Sequence, residues 1–220
     1  MPIPMSAPAL RHLVYNYTSN VRSDSEFHYG GIGTGAPGVG TSWSAGTDKG
    51  TITVDVVAVA NDGGLVIRIS EKSSTDRARF VDPVMCAVYG NTHVECSANS
   101  SIDPEMYQLL RILGRNFVDT GNLDQKNHWQ LQTGGKRGLK ETTDFTIVSN
   151  QNGLARITEN IEVRDQDAAS GNEHTEGTIV YDTAMSVPKS LHEETMLHPS
   201  TSQTVERTID VQLQTDSFAH

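Results

Sequence analysis

Cationic side chains are scarce in this chain: 17 Lys and Arg stand against 27 Asp and Glu, a formal charge of −10. No basic cluster is present to neutralise a run of phosphates, which argues against nucleic acid as a partner. Apolar residues are also sparse, at 36% of the chain with aromatics at only 6%. No apolar run approaches the roughly 20 residues of a membrane helix. The opening MPIPMSAPAL has neither a basic start nor a full apolar stretch, so the chain reads as soluble and without a visible targeting signal. Cysteine occurs twice, at Cys86 and Cys96, and a chain of 220 residues can bury enough surface to fold without metal or dense disulfides.

Catalytic signatures are missing as well. The histidines are scattered, with no H-E-x-x-H, H-x-H or Cys/His spacing, so no metal is expected from a local motif. There is no G-x-S-x-G elbow for a nucleophilic serine. Gly33-Thr-Gly-Ala-Pro-Gly38 spells the G-x-G-x-x-G of a dinucleotide loop, but the stretch before it is polar and the stretch after it has no helical period. A phosphate-binding turn needs a buried strand on one side and a helix on the other. The tract from about 30 to 46 is therefore expected to be a glycine-rich loop, and no cofactor is expected.

What is present is mainly β pattern. Thr51 to Ala60 alternates, with Ile52, Val54, Val56 and Ala58 on one face, and LVIRIS places Leu65, Ile67 and Ile69 on one face. An Asp62-Gly63 turn would pair Ala60 with Leu65, Ala58 with Ile67 and Val56 with Ile69. A second hairpin, Val84 to Cys96 around Gly90-Asn91-Thr92, sets Val88 opposite Val94 and Cys86 opposite Cys96. Directly opposed residues of an antiparallel pair are close enough for a disulfide. Two free buried thiols are the alternative; a bridge would indicate an oxidising compartment, making the protein periplasmic or secreted.

One helix is expected, at about 104–117. Asp103 is the N-cap, Pro104 opens the first turn, and Met106, Leu109, Leu110, Leu113 and Phe117 form an apolar stripe. From Trp129 onward strands return, with a polar loop at about Gln166 to Glu176. In SLHEETML, Leu191 and Leu197 share a face with Glu193 and Thr195, while His192 and Glu194 share the other. His192 and Glu194 are the nearest thing to an acid/base pair, although a solvated strand face accounts for them equally well. The fold class is mainly β (α+β): a curved antiparallel sheet or half-barrel with one packed helix, forming a single domain over 1–220 with an aliphatic core of Val, Ile and Leu.

VDVVAVANDGGLVIRI, the helix at SIDPEMYQLLRILG, and the strands ending TEGTIVYDTAMSVPKSLHEETML and TVERTIDVQLQTD together resemble uncharacterised bacterial cell-envelope domains with the LolA-type half-barrel. That resemblance implies a bent sheet with helices on its concave side holding acyl chains or other hydrophobic ligands. The expected function is thus a non-enzymatic, exported domain that binds an apolar or envelope-associated ligand or is structural, with a lipid-like small molecule or an envelope protein as partner. The two competing expectations are a hydrolase using His192 and Glu194, and a protein–protein assembly module with an apolar patch or open sheet edge.

Overall fold

The computed structural model describes residues 7–29, 38–61, 63–75, 80–89, 93–97, 102–114, 117–118, 127–134, 139–165 and 172–218. Its elements are β1 (Arg11–Tyr29), β2 (Gly38–Val59), β3 (Leu65–Ser73), β4 (Phe80–Val88), β5 (Val94–Cys96), α1 (Pro104–Arg111), β6 (His128–Gly134), β7 (Leu139–Gln151), β8 (Leu154–Asp165), β9 (Asn172–Asp182), β10 (Val187–Ser200) and β11 (Gln203–Asp216). The strands form one 11-stranded sheet in the order β5-β4-β3-β2-β1-β11-β10-β9-β8-β7-β6. Each ladder within it is antiparallel. Neighbours in the sequence are neighbours in the sheet except at one place: β1 pairs with β11 at the centre, leaving β5 and β6 as the two edges. The chain between those edges carries α1.

Alternation along each strand gives the sheet an apolar inner face and a wet outer one. Leu13, Tyr15, Ile52, Val54, Ile67 and Ile69 of the central strands are fully buried on the inner face, while Asn16, Lys72, Thr158, Glu176 and His192 face solvent. The helix lies against the inner face, and its burial shows that the sheet bends around it. Glu105, Gln108 and Arg111 are buried along with Met106, Leu109 and Leu110, and only Pro104 is exposed. A helix resting on a flat sheet would keep its polar side wet. Here α1 touches β5 at one edge and β11 at the centre, and Arg111 reaches Thr143 of β7. The architecture expected from the sequence, an open curved antiparallel sheet with one helix, is the one observed.

Four local expectations are corrected. The helix ends at Arg111 rather than near 117, because Gly114 takes a left-handed conformation (φ 94°) that stops it. Phe117 is nonetheless buried, in a turn closed by its amide on Gly114 O. In the β2–β3 hairpin, Ala60 and Gly64 close a longer turn with Gly63 at φ 84°, which pairs Val59, not Ala60, with Leu65. A bulge between Val56 and Ala58 then slips the register once more, so Val56 faces Ile67 and Val54 faces Ile69. The expected glycine-rich loop is shorter than 30–46: residues 30–37, which hold most of the G-x-G-x-x-G spelling, lie outside the described residues, and β2 already runs from Gly38. Likewise β9 begins at Asn172, inside the expected polar loop.

The β4–β5 hairpin has the expected register, with Val88 opposite Val94 and Cys86 opposite Cys96, and the two cysteines form a disulfide. Its loop, residues 90–92, lies outside the described residues. The core is less aliphatic than its composition suggests. Phe117 packs edge-on to Trp129 and Phe145, with ring centroids 5.7 and 5.1 Å away, and Trp129 stacks on Phe145. Tyr181 adjoins the group and donates its hydroxyl to Gly114 O. These four aromatics form one cluster where the segment after α1 meets β6, β7 and β9.

Candidate functional site

A cavity of about 360 Å³ opens at the end of the sheet where the β2–β3 turn, the β9–β10 turn and the residues following α1 converge. That volume is within the range of small-molecule sites. Its walls are Leu13 of β1, Val56 of β2, Leu65 of β3, Leu113 and Val187 of β10, and its rim carries Leu10, Val59 and Phe218, which are 55%, 59% and 54% exposed. One charged side chain, Arg11, lines it, and its hydrogen-bonding groups are already engaged. Nε and one terminal nitrogen bond both oxygens of Asp216, at 3.0 and 2.5 Å. The other terminal nitrogen donates to Met185 O at 2.6 Å, and the guanidinium lies 5.3 Å over the Phe218 ring. Burial opposes the charge on Asp216, but Arg11 and the Phe218 amide outweigh it and hold the carboxyl below its ordinary value. The cavity wall is thus electrically balanced and suits an uncharged apolar group.

Farther along the inner face the sheet becomes polar. Glu159 of β8 and Glu193 of β10 both face Gly177 of β9 in the ladder, and both carboxyls are buried and meet over the glycine. Burial is the main influence on each and raises both. Arg111 and a hydrogen bond from Glu193 pull Glu159 part of the way back, whereas the charge of Glu159 and that same bond push Glu193 further up. Glu193 is therefore the carboxyl of the pair that is pushed up further. Glu159 Oε1 and Glu193 Oε2 have no protein hydrogen-bond partner. Arg111 reaches this region from α1, bonding Gln108 and Thr143 at 2.7 Å each and Glu141 at 3.0 Å. Beside the pair, the Thr175 and Thr195 hydroxyls bond each other at 2.9 Å.

The residues singled out from the sequence lie on the opposite face. His192 and Glu194 line an outer groove of about 420 Å³ with Asp144, Asn160 and Glu176. His192 Nδ1 is 2.7 Å from Asp210 and its Nε2 is 3.5 Å from Glu194. The hydrogen bond to Asp210 is the main reason its pKa is raised, with burial opposing. The two side chains are 48% and 73% exposed, and nothing apolar excludes water from them.

Pattern reading missed the inner cluster, although its signal was legible. Glu193 alternates in phase with Leu191, so a carboxyl had to enter the apolar face. Nothing in the spacing indicated that Glu159, from another strand, would meet it. Arg11 carried no signal beyond its place at the start of a strand.

No family model and no curated protein matches the chain. Among solved structures, one described as lipid-protein interactions in lipovitellin is similar over 97% of this chain, with a TM-score of 0.56 and 9% identity. This chain spans 26% of the length of that one. At that identity the likeness concerns the fold.

Proposed function

We propose that the protein is a non-enzymatic, exported domain that binds an apolar ligand in the cavity at the end of the sheet. The observation that carries this reading is the cavity itself: aliphatic walls, an apolar rim, and a single cation already neutralised by Asp216. Burying an acyl segment there would gain roughly 25 cal/mol for each Å² of apolar surface removed from water. The Cys86–Cys96 disulfide supports export, because such bridges persist in oxidising compartments. No helix among the described residues is long and apolar enough to cross a membrane.

A LolA-type half-barrel is the family reading that goes with this proposal, and the fold likeness to a protein studied for its lipid interactions accords with it. The ligand would lie differently, however. In this chain α1 and the aromatic cluster fill the concave face, so the space for a ligand is at the end of the trough rather than along it.

The test is a titration with an environment-sensitive fluorescent acyl chain. Saturable binding is expected, with affinity reduced at least about tenfold in Val59→Trp, which adds bulk at the exposed rim without entering the core. Absence of saturable binding, or equal affinity in the variant, would overturn the reading.

A further inference from the structure

The β1–β2 hairpin runs on past the end of β3. The β2–β3 ladder stops at Gly50 and Ser73, whereas β2 stays paired with β1 out to Gly38 and Tyr29. On this extension Asp24 of β1 is in phase with Asn16 and so belongs to the outer face. Trp43 of β2 stands directly opposite Asp24, and Asp24 directly opposite Thr204 of β11. Side chains in such a row are nearest neighbours across the strands. Trp43 is 74% exposed, more than any other large apolar side chain among the described residues, whereas Trp129 is buried in the aromatic cluster. Its neighbours on the same face of β2, Thr41 and Ala45, are too small to cover an indole. Beside Trp43 lies a cavity of about 320 Å³, walled by Asp24, Glu26, Thr41, Thr204 and the β10–β11 turn at Thr201 and Ser202. The turn is tied to β1: the Glu26 amide donates to Ser202 O at 2.7 Å, and Gln203 Nε2 donates to Ser23 Oγ at 3.3 Å. Arg22 Nε donates to Asp24 at 2.9 Å and orients that carboxylate.

We propose that this pocket binds a neutral saccharide, with Trp43 as its stacking platform. A pyranose ring presents a face of C–H groups and a rim of hydroxyls. The C–H groups carry a slight positive charge and pack on the negative face of an indole. The hydroxyls meet carboxylate acceptors at Asp24 and Glu26, and hydroxyls that both donate and accept at Thr41, Ser202 and Thr204. Asp24 has lone pairs to spare, because a carboxylate accepts about four hydrogen bonds and Arg22 takes only part of them. Other ligand classes fit this lining less well. Among the described residues no Lys or Arg lines the pocket and two carboxylates do, so an anion is repelled. An acyl chain would desolvate the carboxylates and hydroxyls without giving them partners. The volume is within the range of small-molecule sites, and a stacked sugar would cover much of the roughly 150–250 Å² that an indole can bury. No residue lines both this pocket and the apolar end cavity, so the site is independent of acyl binding.

Calorimetric titration of the full chain with four neutral tetrasaccharides tests the site: those of β-1,4-glucose, β-1,4-mannose, β-1,4-N-acetylglucosamine and α-1,4-glucose. Saturable binding of at least one, at one site per chain, is expected. Trp43→Ala should weaken it at least about tenfold, and Trp43→Phe, which keeps an aromatic face, should recover part of the loss. His12→Ala is the control, because His12 pairs with Asp55 elsewhere on the outer face, and it should bind as the parent does. Acrylamide quenching supplies a second readout: the exposed Trp43 is quenched and the buried Trp129 is not, so the bound sugar should protect the quenched fraction. Tetragalacturonate, with a carboxylate on every ring, should bind at least about tenfold more weakly than the best neutral sugar. Circular dichroism verifies that each variant is folded. No saturable binding of any neutral sugar up to about 10 mM, equal binding by Trp43→Ala, or equal binding of tetragalacturonate would overturn the proposal.

Discussion

Glu159 lies directly across Gly177: a Cβ placed on that glycine would come within 2.4 Å of Glu159 Oε1 and 2.8 Å of its Cγ. The glycine is the space in which the carboxyls of Glu159 and Glu193 meet. Because Glu159 is buried, it cannot swing into solvent to make room. Gly177→Ala should therefore destabilise the fold by about 1–3 kcal/mol, the usual cost of overpacking. Gly46→Ala, in a strand position with nothing within 4 Å, should be neutral or stabilising by up to about 1 kcal/mol. Urea unfolding midpoints of the two variants make the comparison.

Stability should also depend on pH through this pair. Both carboxyls have folded pKa values raised above the ordinary 4.5, so the native state binds more protons than the unfolded chain. The contribution is complete below that value and is lost as pH rises through the folded pKa of Glu193. Glu193→Gln keeps the shape and the hydrogen bond but cannot ionise. Relative to the parent it should gain stability as pH rises above about 4.5. Taking the difference between the two proteins cancels the histidines, whose own raised pKa values act over part of the same window. An unchanged difference across that range would count against a shared proton.

Arg111 is the cation nearest this pair from α1, lowering both carboxyls while bonding Thr143 and Glu141. Arg111→Ala should cost about 3–5 kcal/mol by leaving buried carboxylate uncompensated. Arg111→Lys should recover only part of it, since a point charge cannot make the three directed contacts of a guanidinium. Thermal unfolding followed by circular dichroism distinguishes these outcomes.

The Cys86–Cys96 bridge closes a short loop, its ends separated by 10 in sequence. Replacing both cysteines with serine should cost at most about 3 kcal/mol on the loop-entropy account. Intact-mass measurement of protein from its native compartment checks the export reading more directly: a single disulfide and no reactive thiol is expected.

How far the sequence led differs by element, and the differences have physical causes. Hairpin faces and the Cys86–Cys96 pairing were legible because period-2 alternation and turn chemistry are local. The β2–β3 register was not, because the turn and the bulge after Val56 each moved it by a step that alternation alone does not encode. The helix was legible in kind but not in length, since the stripe continues through Leu113 to Phe117 past the glycine that ends it. The site was harder still. His192 and Glu194 were conspicuous because they sit together in sequence, whereas Glu159 and Glu193, or Arg11 and Asp216, meet only through strand pairing.

The ladder between β1 and β11 begins by pairing Leu13 with Asp216, and the side-chain pair Arg11–Asp216 beside it spans 205 positions. Every other ladder joins strands adjacent in the chain, so each half of the sheet can assemble as a local run of hairpins. The central ladder is different: it is a seam, and its closure carries the largest single loop-closure cost of any ladder in the sheet. Its closure also fixes the apolar cavity, because Leu13 and Arg11 on one side of the seam are held there by Asp216 on the other. Mechanically, the protein is two meanders zipped along one line, with α1 as the strap between their outer edges, and the apolar cavity sits at the end where that zip begins.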